Sequence, residues 1–305
     1  MLNKQTIICL PNFLIAGAPK SGTTSLFYYL RQHPDIYLPV RKELHYFSYE
    51  YLEKSSNGPG DKQILLSLCS TRAEYESHYA DVGDERMIGE VSPSYLYYSA
   101  VRERIQIELG KIKIIIILRN PIEKAHSQYM HMVRDNRETL SFYDALMTEQ
   151  ERINSEWSDI WRYAESSLYS KRIKEYISLF GAGNIKIILF DDFTSRTDEI
   201  MRDLFEFLNV DPEFVCETEK TYNRTGVSKS KIVSEFFGKS NLIKTIAKKI
   251  IPERIRLPIR LAILDINTGK KPLIDPESQK YLRDYFGDDV EELEGLLETR
   301  LNWLK

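Results

Sequence analysis

The sequence predicts an α/β fold in which a central parallel sheet is flanked by helices, with a P-loop-like connection at its heart. Three stretches carry that prediction. Phe13 to Gly17 are all apolar or small and read as a buried strand; Ala18-Pro19-Lys20-Ser21-Gly22 then turns, and Thr23 opens a helix with Leu26, Tyr29 and Leu30 facing inward. Lys113 to Leu118 (KIIIIL) is an apolar, β-branched run of the kind found where helices cover both faces of a strand. Ile185 to Phe190 (IKIILF) repeats the pattern, with a helix predicted before it over Leu168 to Phe180 and after it over Arg202 to Leu208.

The first of these stretches also predicts chemistry. A glycine loop between a strand and a helix presents backbone N–H groups at the positive end of that helix, which favours an anion, most often a phosphate, and Lys20 adds a full charge. The nucleotide-binding P-loop places its lysine directly after the second glycine. Here Gly17 and Gly22 keep the spacing, but Thr23 occupies the lysine position and Lys20 lies inside the loop. The loop therefore predicts phosphate binding without specifying which phosphate.

The totals narrow the partners. A chain of 305 residues with no Ser/Pro/Gly-rich linker reads as one domain spanning 1–305. A formal charge of −3 and a pI near 6.1 argue against a general nucleic-acid surface. Cys9, Cys69 and Cys216 are odd in number and widely spaced, so neither a disulfide framework nor a metal site is signalled, and a reducing cytoplasm fits best. The N-terminal MLNKQTIICLP has an apolar run too short for a signal peptide, and no later run is long enough to span a bilayer, so no membrane insertion is expected. Nothing in the sequence sets the oligomeric state.

Between the predicted strands lie the candidate site residues. After a short strand at Ile36-Tyr37-Leu38 comes Arg41-Lys42-Glu43-Leu44-His45-Tyr46-Phe47; if extended, it points Glu43 and His45 the same way, a carboxylate and an imidazole for one cleft, with Tyr46 and Phe47 as core plugs. The alternative is a solvated loop. Tyr51 to Gly60 reads as a mobile polar excursion, and Arg72 to Tyr79 as a helix. Met87 to Val91 is a further strand, ending in Ser92-Pro93-Ser94-Tyr95, so Ser92, Ser94, Tyr95, Tyr97 and Tyr98 are pocket candidates at a strand's carboxyl end. KIIIIL ends in Arg119-Asn120-Pro121, where Pro121 starts a helix. An arginine there needs an anion, either a ligand shared with Ser127 two turns on or an ordinary ion-pair partner. Asp191-Asp192 after IKIILF leaves open a magnesium-nucleotide site. The basic loop Tyr222 to Ser230 suits a lid over a phosphate, the basic amphipathic segment from Leu242 to Arg260 suits a solvated face, and Pro276 to Trp303 a closing helix.

Taken together, PKSGTTSL at 19–26, KELHYF at 42–47 and IIIILRNPIEKAHSQY at 114–129 resemble the sulfotransferases that use 3'-phosphoadenosine-5'-phosphosulfate (PAPS), above all the carbohydrate branch that includes heparan sulfate 3-O- and N-sulfotransferases and many bacterial enzymes. The resemblance runs to the closing DVEELEGLLETRLNWL. It implies that Lys20, Ser21, Gly22, Thr23, Thr24 and Ser25 cradle the 5'-phosphosulfate, that Arg119 and Ser127 hold the 3'-phosphate, and that the loop with Arg224 and Gly226 covers the donor. It implies that Glu43 is the acceptor base, with His45 as its neighbour or its replacement, and that no metal is required. One departure stands out: where GEVSPSY has Val91, the heparan enzymes carry a catalytic lysine. The expected activity is in-line transfer of a sulfuryl group from PAPS to a hydroxyl or amine of a glycan or small natural-product acceptor, the rival being a P-loop kinase or NTPase using Mg-ATP.

Overall fold

The computed structural model describes residues 10–218 and 272–305. Five parallel strands form one sheet: β1 (Phe13–Gly17), β2 (Ile36–Tyr37), β3 (Met87–Val91), β4 (Lys113–Leu118) and β5 (Ile185–Leu189), in the spatial order β2-β3-β1-β4-β5. From β1 the chain goes to the far edge as β2, returns to fill the place between as β3, then crosses to the other side of β1 for β4 and β5. Such a reversal leaves a crevice at the carboxyl ends of the strands beside it.

Alternation along the strands feeds two apolar layers. Leu14, Ala16, Ile114, Ile116 and Leu118 join one core cluster; Phe13, Ile15, Ile115 and Ile117 join the other. The first layer is closed by α5 (Ser99–Leu109), α6 (Pro121–Arg134), α9 (Ser170–Phe180) and α12 (Pro276–Leu297), through residues such as Ile105, Ala125, Ile173 and Phe286. The second is closed by α1 (Thr23–Leu30) and α11 (Thr197–Leu208), whose Leu26, Leu30, Leu204 and Leu208 are fully buried. Each aliphatic side chain removed from water contributes about 1.5–3 kcal/mol, which is why the continuous apolar run of β4 takes an interior place in the sheet, between β1 and β5. Register between β1 and β3 is fixed by shape, since Phe13 pairs with Gly89 and a Cβ there would lie 2.1 Å from the Phe13 ring.

Several expectations need correction. β5 is an edge strand and only half-buried, apart from Ile188, so its apolar run overstates its burial. The stretch from Tyr51 to Gly60 is not a loose excursion: its first four residues belong to α2 (Tyr49–Lys54), and the Asn57 amide donates to the Glu156 carbonyl (3.2 Å). Glu43 and His45 are not extended. Both adopt left-handed backbone, with φ of 65° and 54°. The basic loop 222–230, with Arg224 and Gly226, and the amphipathic segment 242–260 lie outside the described residues.

Candidate active site

The loops after β1, β3 and β4 meet at the crevice, around a cavity of about 770 Å³. Lys20, Gly22, Thr23, Thr24 and Ser25 line it from the first loop, Ser94 from the second and Arg119 from the third; Glu43 and His45 reach it from the segment before α2. The first loop is shaped by two left-handed residues, Lys20 (φ 63°) and Gly22 (φ 90°). At Gly22 that conformation suits glycine. A Cβ there would also press on the Phe190 ring at 3.2 Å. No side chain caps the start of α1, and its first internal bond runs from the Leu26 amide to the Gly22 carbonyl (3.1 Å). The first-turn amides of Thr23, Thr24 and Ser25 precede that bond and give the cavity the positive end of the helix.

Arg119 lies beside this loop. Its Nη1 donates to the Lys20 carbonyl (3.2 Å), and its guanidinium sits 4.5 Å from the centroid of the Phe190 ring. The ordinary ion-pair partner is present as well: Nη2 donates to Glu123 at 2.7 Å, one turn into α6. The Glu123 side chain is 48% exposed. The Arg119 side chain is only 12% exposed, so the pair is open to solvent mainly from the Glu123 side, where an anion reaching the guanidinium would compete with it.

Glu43 and His45 are held by the end of β3. The Glu43 amide donates to the Val91 carbonyl (3.0 Å), the His45 amide donates to Ser92 Oγ (3.0 Å), and His45 Nδ1 lies 2.6 Å from Ser94 Oγ. Ser92 in turn donates to the buried Glu90 carboxylate (2.5 Å), which also accepts from Tyr95 (2.6 Å) and Tyr75 (2.7 Å). Left-handed backbone at residues other than glycine costs of order 1–3 kcal/mol, so it persists only where surroundings impose it. Here the Glu90 network imposes it, and Lys20, Glu43 and His45, three strained residues, face one cavity.

Electrostatics divide the three. Burial lowers Lys20 to about 8, helped by Arg134 and opposed by Asp135 and Glu43. Burial would raise Glu43, but Lys42, which pairs with it directly, and the charges of His45 and Lys20 outweigh that and hold it near 2. Burial lowers His45 to about 4 against the pull of Glu43. At neutral pH the site therefore presents an ionised carboxylate, a neutral imidazole and a lysine that loses its charge as pH rises through about 8.

The remaining predicted residues separate. Ser127 is fully buried in α6 and does not line the cavity, whereas Gln128 and His131 of the same helix do; His131 sits twelve residues after Arg119 and one turn beyond Ser127, a spacing that could have marked it. Ser21 is buried, its hydroxyl donating to the Pro19 carbonyl (3.4 Å). Of the residues after β3, Ser94 lines the cavity; Ser92 and Tyr95 serve the Glu90 network, and Tyr97 and Tyr98 bond to Glu165 and Asp159. The magnesium-nucleotide reading fails in place: Asp191 and Asp192 open α10 (Phe190–Ser195) beyond the edge strand, Asp192 pairs with Arg196, and neither lines the cavity. Among the described residues no cluster of His, Cys, Asp or Glu is arranged to hold a metal ion.

A parallel sheet whose switch point carries a glycine loop, two cations and a carboxylate–imidazole pair is a site suited to an anion, with acid–base groups beside it. The comparisons are specific. The model described as the sulfotransferase family matches residues 11–213, so the chain belongs to the sulfotransferase family. It is 30% identical over 222 residues to the membrane-associated sulfotransferase kil1 of Dictyostelium discoideum, covering 71% of this chain but 41% of that protein. The chain spans between 20% and 54% of the length of the first curated relatives it matches, among them carbohydrate and heparan sulfate sulfotransferases at 22–25% identity. A crystal structure of a sulfotransferase from Alicyclobacillus acidocaldarius superposes with a TM-score of 0.78 at 33% identity, over 98% of this chain and 100% of the other. Mouse sulfotransferase SULT7A1, solved with PAP, shares the fold at 14% identity and a TM-score of 0.51, over 92% of this chain and 84% of its own. No helix among the described residues is long and apolar enough to cross a membrane.

Proposed function

We propose that this single domain transfers a sulfuryl group from PAPS to the hydroxyl or amine of a carbohydrate or small natural-product acceptor. The observation that carries this reading is the convergence of Lys20, the first-turn amides of α1, Arg119 and Glu43 on one cavity. The residues fit the donor: a glycine-shaped cradle at a helix N-terminus suits one phosphate, and a guanidinium beside it, stacked on Phe190, suits a second.

The donor supplies an activated sulfuryl group when bound. The acceptor oxygen forms the new S–O bond as the bond from sulfur to the phosphate oxygen breaks; the bonding pair leaves with PAP, and the acceptor's proton passes to Glu43. Lys20 and the loop amides hold the negative charge that gathers on the departing phosphate. Glu43 is ionised and ready, though weakly basic while Lys42 and Lys20 face it; an anion bound at the loop offsets those charges and lifts its basicity in the complex. His45, neutral and oriented by Ser94, is the second candidate for the proton. A cytoplasmic setting suits the buried, unbridged thiols of Cys69 and Cys216.

Calorimetric titration tests the donor assignment. PAP is expected to bind without a divalent cation and Mg-ATP to bind far more weakly; the reverse order would point to a nucleotide kinase. Arg119→Ala should raise the KM for PAPS at least tenfold while changing kcat much less, measured by initial rates over donor concentration, because its contact is made equally before and during transfer. In the pH profile of kcat/KM for PAPS, activity should hold level from about pH 5 to 8 and fall above it, since the free enzyme binds the donor with Lys20 charged and that charge is lost as pH rises through about 8. A fall on the acid side near pH 6.5 would instead mark an ordinary histidine as the essential base.

A further inference from the structure

The cavity has two ends, and they differ in chemistry. Arg119 and Phe190 mark the donor end beside the glycine loop. The other end is built by α2 and α3 (Asp61–Leu65), which pack together, and by the chain at 158–160. Leu52 of α2, Ile64 and Leu65 of α3, then Leu68 and Ile160 line it. Hydrogen bonds tie this end to the reacting groups: the Cys69 amide donates to the carbonyl of Leu44, the residue between Glu43 and His45 (2.9 Å). The apolar wall therefore flanks the proposed base.

Its polar groups are already engaged. The buried Asp61 carboxylate accepts from the amides of Gly58 (3.0 Å) and Ser158 (3.1 Å) and from Trp161 Nε1 (3.1 Å), and it pairs with Arg137. The Asp159 carboxylate accepts from Tyr98 (3.2 Å). Among the described residues, the only lysine and arginine lining the cavity are Lys20 and Arg119, both at the donor loop. The lining of this end is mainly aliphatic, its charged groups among the described residues being Asp61, which Arg137 neutralises, and Asp159, so an anionic sugar chain would exchange its water for a largely apolar wall there.

We infer that the acceptor is a neutral alcohol with an apolar body, whose hydroxyl meets Glu43 while its hydrocarbon portion packs on Leu52, Ile64, Leu65, Leu68 and Ile160. The inference rests on the sulfuryl-transfer reading and narrows it.

The test measures transfer of radiolabelled sulfate from PAPS to 1-octanol and 2-naphthol, and to a heparosan oligosaccharide and maltose, alongside calorimetric binding of PAP. The alcohols should be sulfated with kcat/KM at least tenfold above either sugar. Ile64→Arg, at a site 42% exposed and so tolerant of substitution, should cut kcat/KM for octanol at least tenfold and leave PAP affinity unchanged. Sulfation of heparosan or maltose in preference to both alcohols, with PAP bound, would overturn the inference and leave the sulfotransferase assignment standing. Unchanged octanol transfer in Ile64→Arg would also overturn it. Absence of PAP binding would overturn the donor assignment and the inference together.

Discussion

Lys20→Ala should lower kcat for sulfuryl transfer by about 10²–10³, the loss that follows removal of one preorganised donor from a site of developing charge. The effect should exceed that of Arg119→Ala on kcat. Lys20 sits inside the glycine loop, at the strained turn between β1 and α1, where charge gathers as the sulfuryl group departs. In the proposed function Arg119 would grip an anion whose charge stays constant through the reaction. Lys20→Arg separates charge from placement: it keeps the cation but moves it outward on a longer, planar group, so it should recover only part of the loss. Rates at saturating PAPS, with thermal denaturation to confirm folding, check this. A Lys20→Ala enzyme within tenfold of wild type would remove Lys20 from the chemistry.

Glu43→Gln should lower kcat by about 10²–10⁴, the range of general-base catalysis, while PAP affinity stays within a few fold. The substitution keeps the side chain's size and removes its charge, and the backbone that places it is held by Val91, Ser92 and the Glu90 network. Removing that charge frees Lys42 but also takes away the Glu43 carboxylate that helps keep Lys20 protonated, so the two effects on donor binding oppose each other. If activity survives in Glu43→Gln and is lost in His45→Gln, the base is His45 and Glu43 orients it.

The sequence carried the framework well because its strongest signals were local. Phe13–Gly17, Met87–Val91 and Lys113–Leu118 are strands with the predicted bounds, and Thr23 opens the helix after the glycine loop. Burial of β5 was misread because an apolar run reports hydrophobicity, while the position of a strand at the edge is settled only by sheet order. Glu43 and His45 do reach one cavity, but by two left-handed residues rather than by strand alternation. That conformation is imposed by Ser92 and Glu90, almost fifty residues away, which no local pattern in KELHYF reveals. The same holds for the apolar acceptor end. Leu52, Ile64 and Ile160 look like unremarkable aliphatics until α2, α3 and the chain near Asp159 are brought together. The eight-residue spacing from Arg119 points to Ser127, whereas the residues of α6 that line the cavity are Gln128, next to it, and His131, one turn beyond it.

The central claim is that one donor bridges the glycine loop and the guanidinium at the end of β4. A crystal structure of the protein with PAP measures this directly. The account predicts the 5'-phosphate against the amides of α1's first turn and Lys20, and the 3'-phosphate against Arg119 with its bond to Glu123 loosened. PAP seated elsewhere, or with Arg119 still paired to Glu123 and touching no phosphate, would contradict it.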